Sequence, residues 1–243
     1  MIHRFDLLTS TNDQAQGEAY SHGDIIVAER QSAGRGQRGN RWLSGEGLNL
    51  TLSLVVEPRG IELRRQFLIS QAVALAICDM LKSYGLEPRI KWTNDIYIGD
   101  EKIVGILIEN RLTCGELARS VVGIGLNVNQ REFDPELPNP TSMAVAKGES
   151  LDREEVLQRL AKSLRSRVEA LLDGEAAKIS EQYHSLLYRL EEAHLYKLKA
   201  KEPQVGKIVG VEPTGELRVE WESGETVGYL FGEIDFVIER RKR

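Results

Sequence analysis

The chain has 243 residues, which is enough for one large domain or for a medium-sized domain followed by a small one. Its apolar fraction of 41% and charged fraction of 28% are ordinary for a globular protein, and a net charge of −5 disfavours a general nucleic-acid binder. No segment approaches the ~20 apolar residues of a membrane span, and the first residues lack a secretory signal. The two cysteines, Cys78 and Cys114, indicate a reducing compartment. We therefore expect a cytoplasmic protein with no membrane partner.

Strand-like and helical segments alternate irregularly along most of the chain. Strands are predicted at 2–8, 25–29, 48–54, 89–92, 96–98, 103–109 and 119–128, and helices at 10–22, 62–84, 152–172 and 175–190. Gly23 is expected to end the first helix. Leucines at every second position of 48–54 predict a strand with one buried face. Residues 31–47, rich in Gly, Ser and Arg, and 133–142, with three prolines, are predicted loops.

The composition changes near residue 190. Short strand candidates separated by turns fill residues 194–239, which predicts a small all-β domain. We therefore divide the chain into a mixed domain, 1–190, and a β domain, 191–243. Because strands and helices do not alternate regularly, an α+β fold with a mixed or antiparallel sheet is favoured over a doubly wound fold. The basic end, Arg240–Arg243, is expected to be a solvated tail.

The predicted loop at 31–47 contains a glycine- and arginine-rich segment that ends at Trp42. Its glycines allow the backbone to approach a ligand closely, and its arginines suit a phosphate or carboxylate. The segment matches neither a Walker A motif nor a dinucleotide-binding fingerprint. A flexible basic loop, or an RNA-binding segment, is the alternative that composition alone leaves open.

Three shorter segments combine polar groups with predicted strands. Lys91–Asp95 interrupts two strand-like runs with an aromatic ring, an amide and a carboxylate, although Asn-Asp also forms ordinary turns. Gly123 and Gly125 lie inside a strand ahead of Asn127, which indicates either a close approach of a ligand or a β-bulge. The hydroxyls of 9–12 suit a polar ligand, and at least one of them is expected to cap the following helix.

The order of these segments is more specific than any one of them. TSTN is followed by GRG-x-RG-x-x-W, then KW-x-ND with a lysine seven residues after the aspartate, then GIGLNVN. This order resembles the biotin–protein ligase family across residues 3–130, and 194–239 resembles the SH3-like C-terminal domain of that family. The resemblance implies a catalytic domain like those of class II aminoacyl-tRNA synthetases and biotin ligases, followed by a small SH3-like β-barrel.

The resemblance also implies a reaction. Biotin and ATP would form biotinyl-5′-AMP with Mg²⁺, and a lysine of a biotin carrier domain, such as that of acetyl-CoA carboxylase, would then take the biotin. By position, the implied biotin-binding residues are Ser10, Thr11, Asn12, Gln31, Gly34, Arg35, Gly36, Gln37, Lys102 and Gly105. The implied nucleotide-binding residues are Arg38, Trp42, Asn94 and Asn127, with Asn94 near Mg²⁺. The implied catalytic residues are Lys102, Arg35 and Asp95.

The implied roles follow the charges of the reactants. Lys102 would stabilise charge on the carboxyl group or the α-phosphate, Arg35 would pair with an anion, and Asp95 would orient the incoming lysine. Two positions depart from the pattern. Gln37 stands where many members have arginine, so adenylate retention is expected to be weaker unless Arg38 or Arg41 supplies the charge. Thr93 replaces a proline, which is expected to affect only local rigidity.

Other functions remain as alternatives to be weighed. They are a lipoate–protein ligase, a non-catalytic biotin-binding protein, and an RNA-binding module that uses the basic loop. No residues precede the first strand to build the helix-turn-helix domain of bifunctional members, so we expect no DNA binding. The sequence leaves a homodimer open, with the strand at 119–128 as the edge that would pair.

Overall fold

The structure is a computed structural model that describes residues 1–42, 44–199 and 202–238. The side chain of Arg38 and the basic end Arg240–Arg243 lie outside the described part, so the tail prediction is not tested. Within these ranges, no helix combines the length and the apolar character needed to cross a membrane.

A seven-stranded sheet forms the centre of the molecule. Its strands are β1 Ile2–Leu8, β2 Ile25–Gln31, β3 Leu50–Val56, β4 Pro88–Lys91, β5 Asp95–Ile98, β6 Glu101–Thr113 and β7 Glu116–Leu126. Their order across the sheet is β1-β2-β3-β7-β6-β5-β4. β1 and β2 run parallel, whereas the other neighbouring strands run antiparallel. The predicted α+β class with a mixed sheet is therefore confirmed.

The helices divide unequally between the two faces of this sheet. They are α1 Thr11–Ala15, α2 Phe67–Lys82, α3 Met143–Lys147, α4 Arg153–Leu172 and α5 Ala176–Ser185, with 3₁₀ turns at Gln37–Gly39 and Leu63–Arg65. α2, α4 and α5 cover one face and enclose the main apolar core. The other face carries the short α1 and a small cluster around Tyr20 and Val55. This uneven cover leaves room for a cleft on the second face.

A second, five-stranded antiparallel sheet follows. Its strands are β8 Ala193–Leu198, β9 Gln204–Val211, β10 Leu217–Trp221, β11 Thr226–Tyr229 and β12 Ile234–Phe236, in the order β11-β10-β9-β8-β12. The indole Nε1 of Trp92 donates to the backbone oxygen of Gly215 across 2.9 Å, and the apolar core continues into this sheet through Leu217. The predicted small β region is present, while the exact division at residues 190 and 191 stays a prediction.

The first helix is much shorter than predicted. It ends at Ala15, and the chain then turns through Gly17 instead of continuing to residue 22. The buried guanidinium of Arg119 donates to the backbone oxygens of Gly17 and Tyr20, at 3.0 and 2.8 Å. These carbonyls are therefore satisfied without helical hydrogen bonds. Gly23 does not end the helix, because α1 already ends at Ala15 and Gly23, with a φ of +82°, lies in the turn before β2.

Two other predictions about strands are wrong. β3 has no exposed face, because Thr51, Ser53 and Val55 are buried under α1 and the cleft while the leucines face the main core. β7 lies between β3 and β6, so the strand at 119–128 is not an edge strand that could pair across a two-fold axis. The short α3 was not predicted.

The burial of both faces of β3 predicts a measurable cost for a small change at Val55. Val55→Ala removes two methyl groups from a fully buried site, so we expect the free energy of unfolding to fall by about 2 kcal/mol in urea denaturation. Val145→Ala is the matched control, because Val145 is 44% exposed on α3. Equal, near-zero effects of the two changes would contradict burial of this face.

Candidate functional site

The floor of the cleft is set by the strand registers. Thr51 pairs with Gly125, Gly125 with Gly105, and Gly105 with Asp95, so these four residues form one row across β3, β7, β6 and β5. The neighbouring row contains Ser53, Gly123 and Leu107 by the same pairings. Because glycines occupy the middle of both rows, the centre of the sheet face carries little side-chain bulk.

Trp42 packs against this glycine floor. A Cβ atom added to Gly125 would come within 2.1 Å of the Trp42 ring, and one added to Gly105 within 2.9 Å. The ring is carried by a small hairpin in which the amide of Trp42 donates to the oxygen of Gly34 across 3.1 Å, and Gly36 donates to Asn40 across 2.7 Å. The predicted loop therefore folds back over the sheet, and its tip is the 3₁₀ turn at Gln37–Gly39.

One end of the cleft is lined by an uncharged polar network. Gln31 Oε1 accepts from the backbone amide of Thr11 at 2.7 Å and from its hydroxyl at 3.2 Å. Ser53 Oγ lies 2.8 Å from Thr11 Oγ1 and 2.6 Å from Asn12 Oδ1, and its single proton serves one of them at a time. Asn12 sits directly over Gly123, where a Cβ atom would lie 2.4 Å from its Oδ1. Ser10 occupies the N-cap position of α1 but makes no capping hydrogen bond, so the capping prediction is wrong and its hydroxyl is available.

The opposite end carries an ion pair on the sheet. Lys102 Nζ lies 2.7 Å from Asp95 Oδ1, in a close contact that lacks the alignment of a hydrogen bond, and 5.8 Å from the Trp42 ring. The Asn94 amide donates to the oxygen of Ile106 across 2.8 Å, which fixes its orientation. The backbone amide of Lys102 donates to the oxygen of Asn139 across 2.7 Å, and its backbone oxygen accepts from the amide of Thr141 across 2.9 Å. The cationic end is therefore built on rigid strands.

Lys91 is a second cation in the cleft, which the sequence reasoning did not assign to the site. Its Nζ lies 4.7 Å from the centre of the Phe236 ring and 5.5 Å from that of Tyr97. Burial lowers the pKa of Lys91, and the nearby charge of Asp95 opposes that shift. Its position directly before Trp92 was the signal in the sequence that could have identified it.

Arg35, predicted to pair with a ligand anion, is paired within the chain. Its Nη1 lies 2.7 Å from Asp13 Oδ1, and its Nη2 donates to both oxygens of Glu109, at 2.9 and 3.0 Å. Burial by itself would lower the pKa of Arg35, but the hydrogen bonds to Asp13 and Glu109 outweigh it and raise that pKa. Glu109 also accepts from Asn12 Nδ2 at 2.7 Å, and nothing in the sequence distinguished it from other strand glutamates.

Most of the predicted site residues meet in this one cleft. Those that line it are Ser10, Thr11, Asn12, Gln31, Arg35, Gly36, Gln37, Trp42, Asn94, Asp95, Lys102 and Gly105. Gly34 lines the outer side of the hairpin instead. Asn127 does not line the cleft, and its buried amide donates to the oxygen of Thr141 across 2.9 Å. The Arg38 side chain is not described.

Two polar atoms in the cleft are buried without a partner. Trp42 Nε1, a donor, and Gln37 Oε1, an acceptor, make no hydrogen bond to the described residues. Since buried polar groups are nearly always paired, water or a polar ligand in the cleft would satisfy these atoms. No group of three or more His, Cys, Asp and Glu side chains in the described ranges is placed to hold a metal ion by itself.

A model of the biotin/lipoate A/B protein ligase family matches residues 4–127. The chain belongs to this family. The bifunctional ligase/repressor BirA of Bacillus spizizenii is 30% identical over 226 residues, which cover 90% of this chain and 69% of that relative. The biotin–[acetyl-CoA-carboxylase] ligase of Paracoccus denitrificans is 31% identical over 83% of this chain and 86% of its own length. Two further BirA relatives are spanned only to 50% and 46% of their length.

The fold agrees with the family over nearly the whole chain. The structure of the biotin protein ligase from Aquifex aeolicus in complex with biotin and ATP aligns with a TM-score of 0.81 at 28% identity, covering 96% of this chain and 97% of that one. The expected biotin ligase-like catalytic fold followed by a small β region is thereby confirmed.

Close packing of Trp42 on the glycine floor predicts the effect of a single methyl group. Gly125→Ala places a carbon where the ring now lies, so we expect Trp42 to be displaced and acrylamide quenching of tryptophan fluorescence to increase. The increase should vanish in a Trp42→Phe background, because it comes from Trp42 and not from the two other tryptophans of the chain. Gly228→Ala is the control, since the nearest neighbour there is the flexible end of Arg218 at 3.2 Å. Unchanged quenching in Gly125→Ala would contradict the packing.

Proposed function

We propose that the chain is a biotin–protein ligase, which activates biotin with ATP and transfers it to a lysine of a biotin carrier domain. The observation that carries the proposal is that one cleft joins an uncharged polar network at one end to two lysines at the other. The family membership and the nearly full-length fold match to a biotin- and ATP-bound ligase support it. Membership alone would also admit a lipoate ligase, but the curated relatives described above are named for biotin or as BirA.

The uncharged end suits the ureido ring of biotin. That ring is polar but neutral, so it is recognised by hydroxyl and amide groups held in place beforehand rather than by charges. Thr11 and Gln31 are hydrogen-bonded to each other, and Asn12 is oriented by its hydrogen bonds with Ser53 and Glu109. The Ser10 hydroxyl makes no capping hydrogen bond. We assign this end to the biotin head, so that its carboxyl tail points along the glycine floor toward Lys102.

The cationic end suits the reaction of two anions. A biotin carboxylate and the α-phosphate of ATP repel each other, so fixed positive charge is needed where they meet. Lys102 and Lys91 both line this end, and Lys102 sits beside the Trp42 ring that covers the floor. We propose that Lys102 stabilises the charge that develops during carboxyl attack and that Lys91 faces the phosphates. Trp42 would separate the two substrates from water.

The donor set near this end also fits a nucleotide-bound Mg²⁺. Asn94 offers one amide oxygen, which matches a metal bound mainly through phosphates and water. We propose that Asn94 would hold it, where it would neutralise phosphate charge, while Asp95 stays paired with Lys102. The carrier itself, a cytoplasmic location and a homodimer stay predictions, as does the boundary between domains 1–190 and 191–243.

Removing the cation of Lys102 tests the proposed chemistry. We expect Lys102→Ala to bind biotin in calorimetry but to lose biotin-dependent ATP–pyrophosphate exchange by about 100- to 1000-fold. Mass spectrometry of a biotin carrier domain should show one added biotin with the wild type and none with the variant. Lys162→Ala, an exposed lysine on α4, is the control. If the wild type binds biotin but modifies no carrier, the chain is a biotin-binding protein. If it binds lipoate instead of biotin, the proposed substrate is wrong.

The position of Gln37 predicts how well the chain retains the adenylate. Gln37 begins the 3₁₀ turn at the tip of the hairpin and lines the cleft. Because arginine adds a charged hydrogen bond to phosphate, we expect Gln37→Arg to slow release of preformed biotinyl-5′-AMP by roughly 10-fold. Release is followed after rapid dilution, with Gln158→Arg on the exposed side of α4 as the control. An unchanged rate would show that Gln37 does not limit retention.

A further inference from the structure

One carboxylate, that of Glu109 on β6, lies beside the uncharged end of the cleft. It joins α1, through Asn12, to the 34–42 hairpin, through Arg35. Its Oε2 accepts from Asn12 Nδ2 at 2.7 Å and from Arg35 Nη2 at 2.9 Å, while its Oε1 accepts from the same guanidinium at 3.0 Å. A carboxylate can only accept, so Asn12 must turn its NH₂ toward Glu109 and its oxygen toward Ser53. Glu109 therefore fixes the orientation of the amide and the place of the loop together.

The strand register explains why Glu109 can reach both partners. Gly105, Leu107 and Glu109 lie at alternate positions of β6 and so share the cleft face of the sheet. Glu109 pairs with Val121, one row beyond the row of Ser53, Gly123 and Leu107. It thus stands at the margin of the glycine floor, next to α1, with its side chain 35% exposed.

Arg35 controls the hairpin that carries Trp42. It forms an antiparallel bridge with Arg41 at the base of the hairpin, directly before Trp42. Gly34 pairs with Trp42 so closely that a Cβ added to Gly34 would lie 2.8 Å from the backbone oxygen of Trp42. The carboxylates that hold the Arg35 side chain therefore also fix the base of the hairpin, and the base in turn places the Trp42 ring on the glycine floor.

The charges around Arg35 argue against a direct role as an anion partner. Asp13 and Glu109 both contact its guanidinium, so the three groups together carry a net charge of −1. A substrate anion that approaches Arg35 therefore meets two carboxylates, whereas Lys102 faces a single carboxylate at the other end of the cleft.

We propose that Glu109 is a positioning residue, which closes the 34–42 hairpin over the biotin end by holding Arg35 and Asn12, and that Arg35 acts as the anchor of this hairpin. The part of this proposal that concerns biotin rests on the proposed function, whereas closure of the hairpin does not. These side chains are partly exposed, so solvent screens their attraction and the hairpin remains able to open.

The first test uses no ligand. Trypsin can cut the hairpin after Arg38 and Arg41, and we expect Glu109→Gln and Arg35→Ala each to speed cleavage there by about 5-fold, because a charged hydrogen bond is lost. Glu116→Gln is the matched control, as it removes an exposed carboxylate from the neighbouring strand β7. Equal thermal midpoints of unfolding for all variants show that the fold is intact. Cleavage no faster than in the control overturns the proposal.

The second test separates an anchor from a direct ligand contact. If Arg35 is an anchor, Glu109→Gln and Arg35→Ala should both raise the KM for biotin in pyrophosphate exchange by about 5-fold, with kcat changed by less than about 2-fold. The double variant should then resemble either single variant, because each single change already removes the same link between Glu109 and Arg35. If Arg35 binds a substrate anion, Glu109→Gln should leave the KM unchanged or lower it, and this outcome overturns the proposal. If the two variants are cleaved faster but the wild type binds no biotin, the proposed function is refuted while closure of the hairpin stands.

Discussion

Gly105 and Gly125 face each other across two adjacent strands in the middle of the large sheet, and the site depends on the space they leave. The Trp42 ring lies where their side chains would be, and Asn12 lies in the same way over Gly123. Glycine inside a strand weakens it, since it adds no packing and loses more conformational freedom on folding. The surroundings offset that cost, because β6 and β7 are interior strands of the sheet with a continuous core behind them.

The two ends of the cleft are held with different firmness. Lys102 and Asp95 stand on paired strands, and the backbone of Lys102 is also hydrogen-bonded to the 139–141 segment. Trp42 and Arg35 stand on a hairpin whose side-chain attachments are partly exposed ion pairs. Exposed pairs are weak and screened by salt, so these attachments hold the hairpin less firmly than strand pairing holds the cationic end. A site that must admit two substrates and then exclude water has use for this difference.

Patterns in the sequence predicted the parts of the site that depend on local chemistry. Glycines inside a strand indicated a close approach, and the polar clusters at 9–12 and 91–95 indicated ligand groups. Contacts between distant segments decided the rest. The first helix stops early because Arg119 takes the carbonyls of Gly17 and Tyr20, about a hundred residues away. The amide of Asn127 is taken by the oxygen of Thr141 and does not line the cleft, and Glu109 matters only because Asn12 and Arg35 both reach it.

The Lys102–Asp95 pair connects the two halves of the proposed reaction. Before substrates arrive, each charge satisfies the other across 2.7 Å. In the proposed reaction Lys102 would turn to the anionic carboxyl group and phosphate, which would leave the Asp95 carboxylate as a negative charge without its partner. That carboxylate would attract and orient the carrier lysine, which arrives as an ammonium ion and has to lose a proton before its amine can attack the activated carboxyl group. The first substrate would thus prepare the site for the second, with no movement of the sheet that carries both residues.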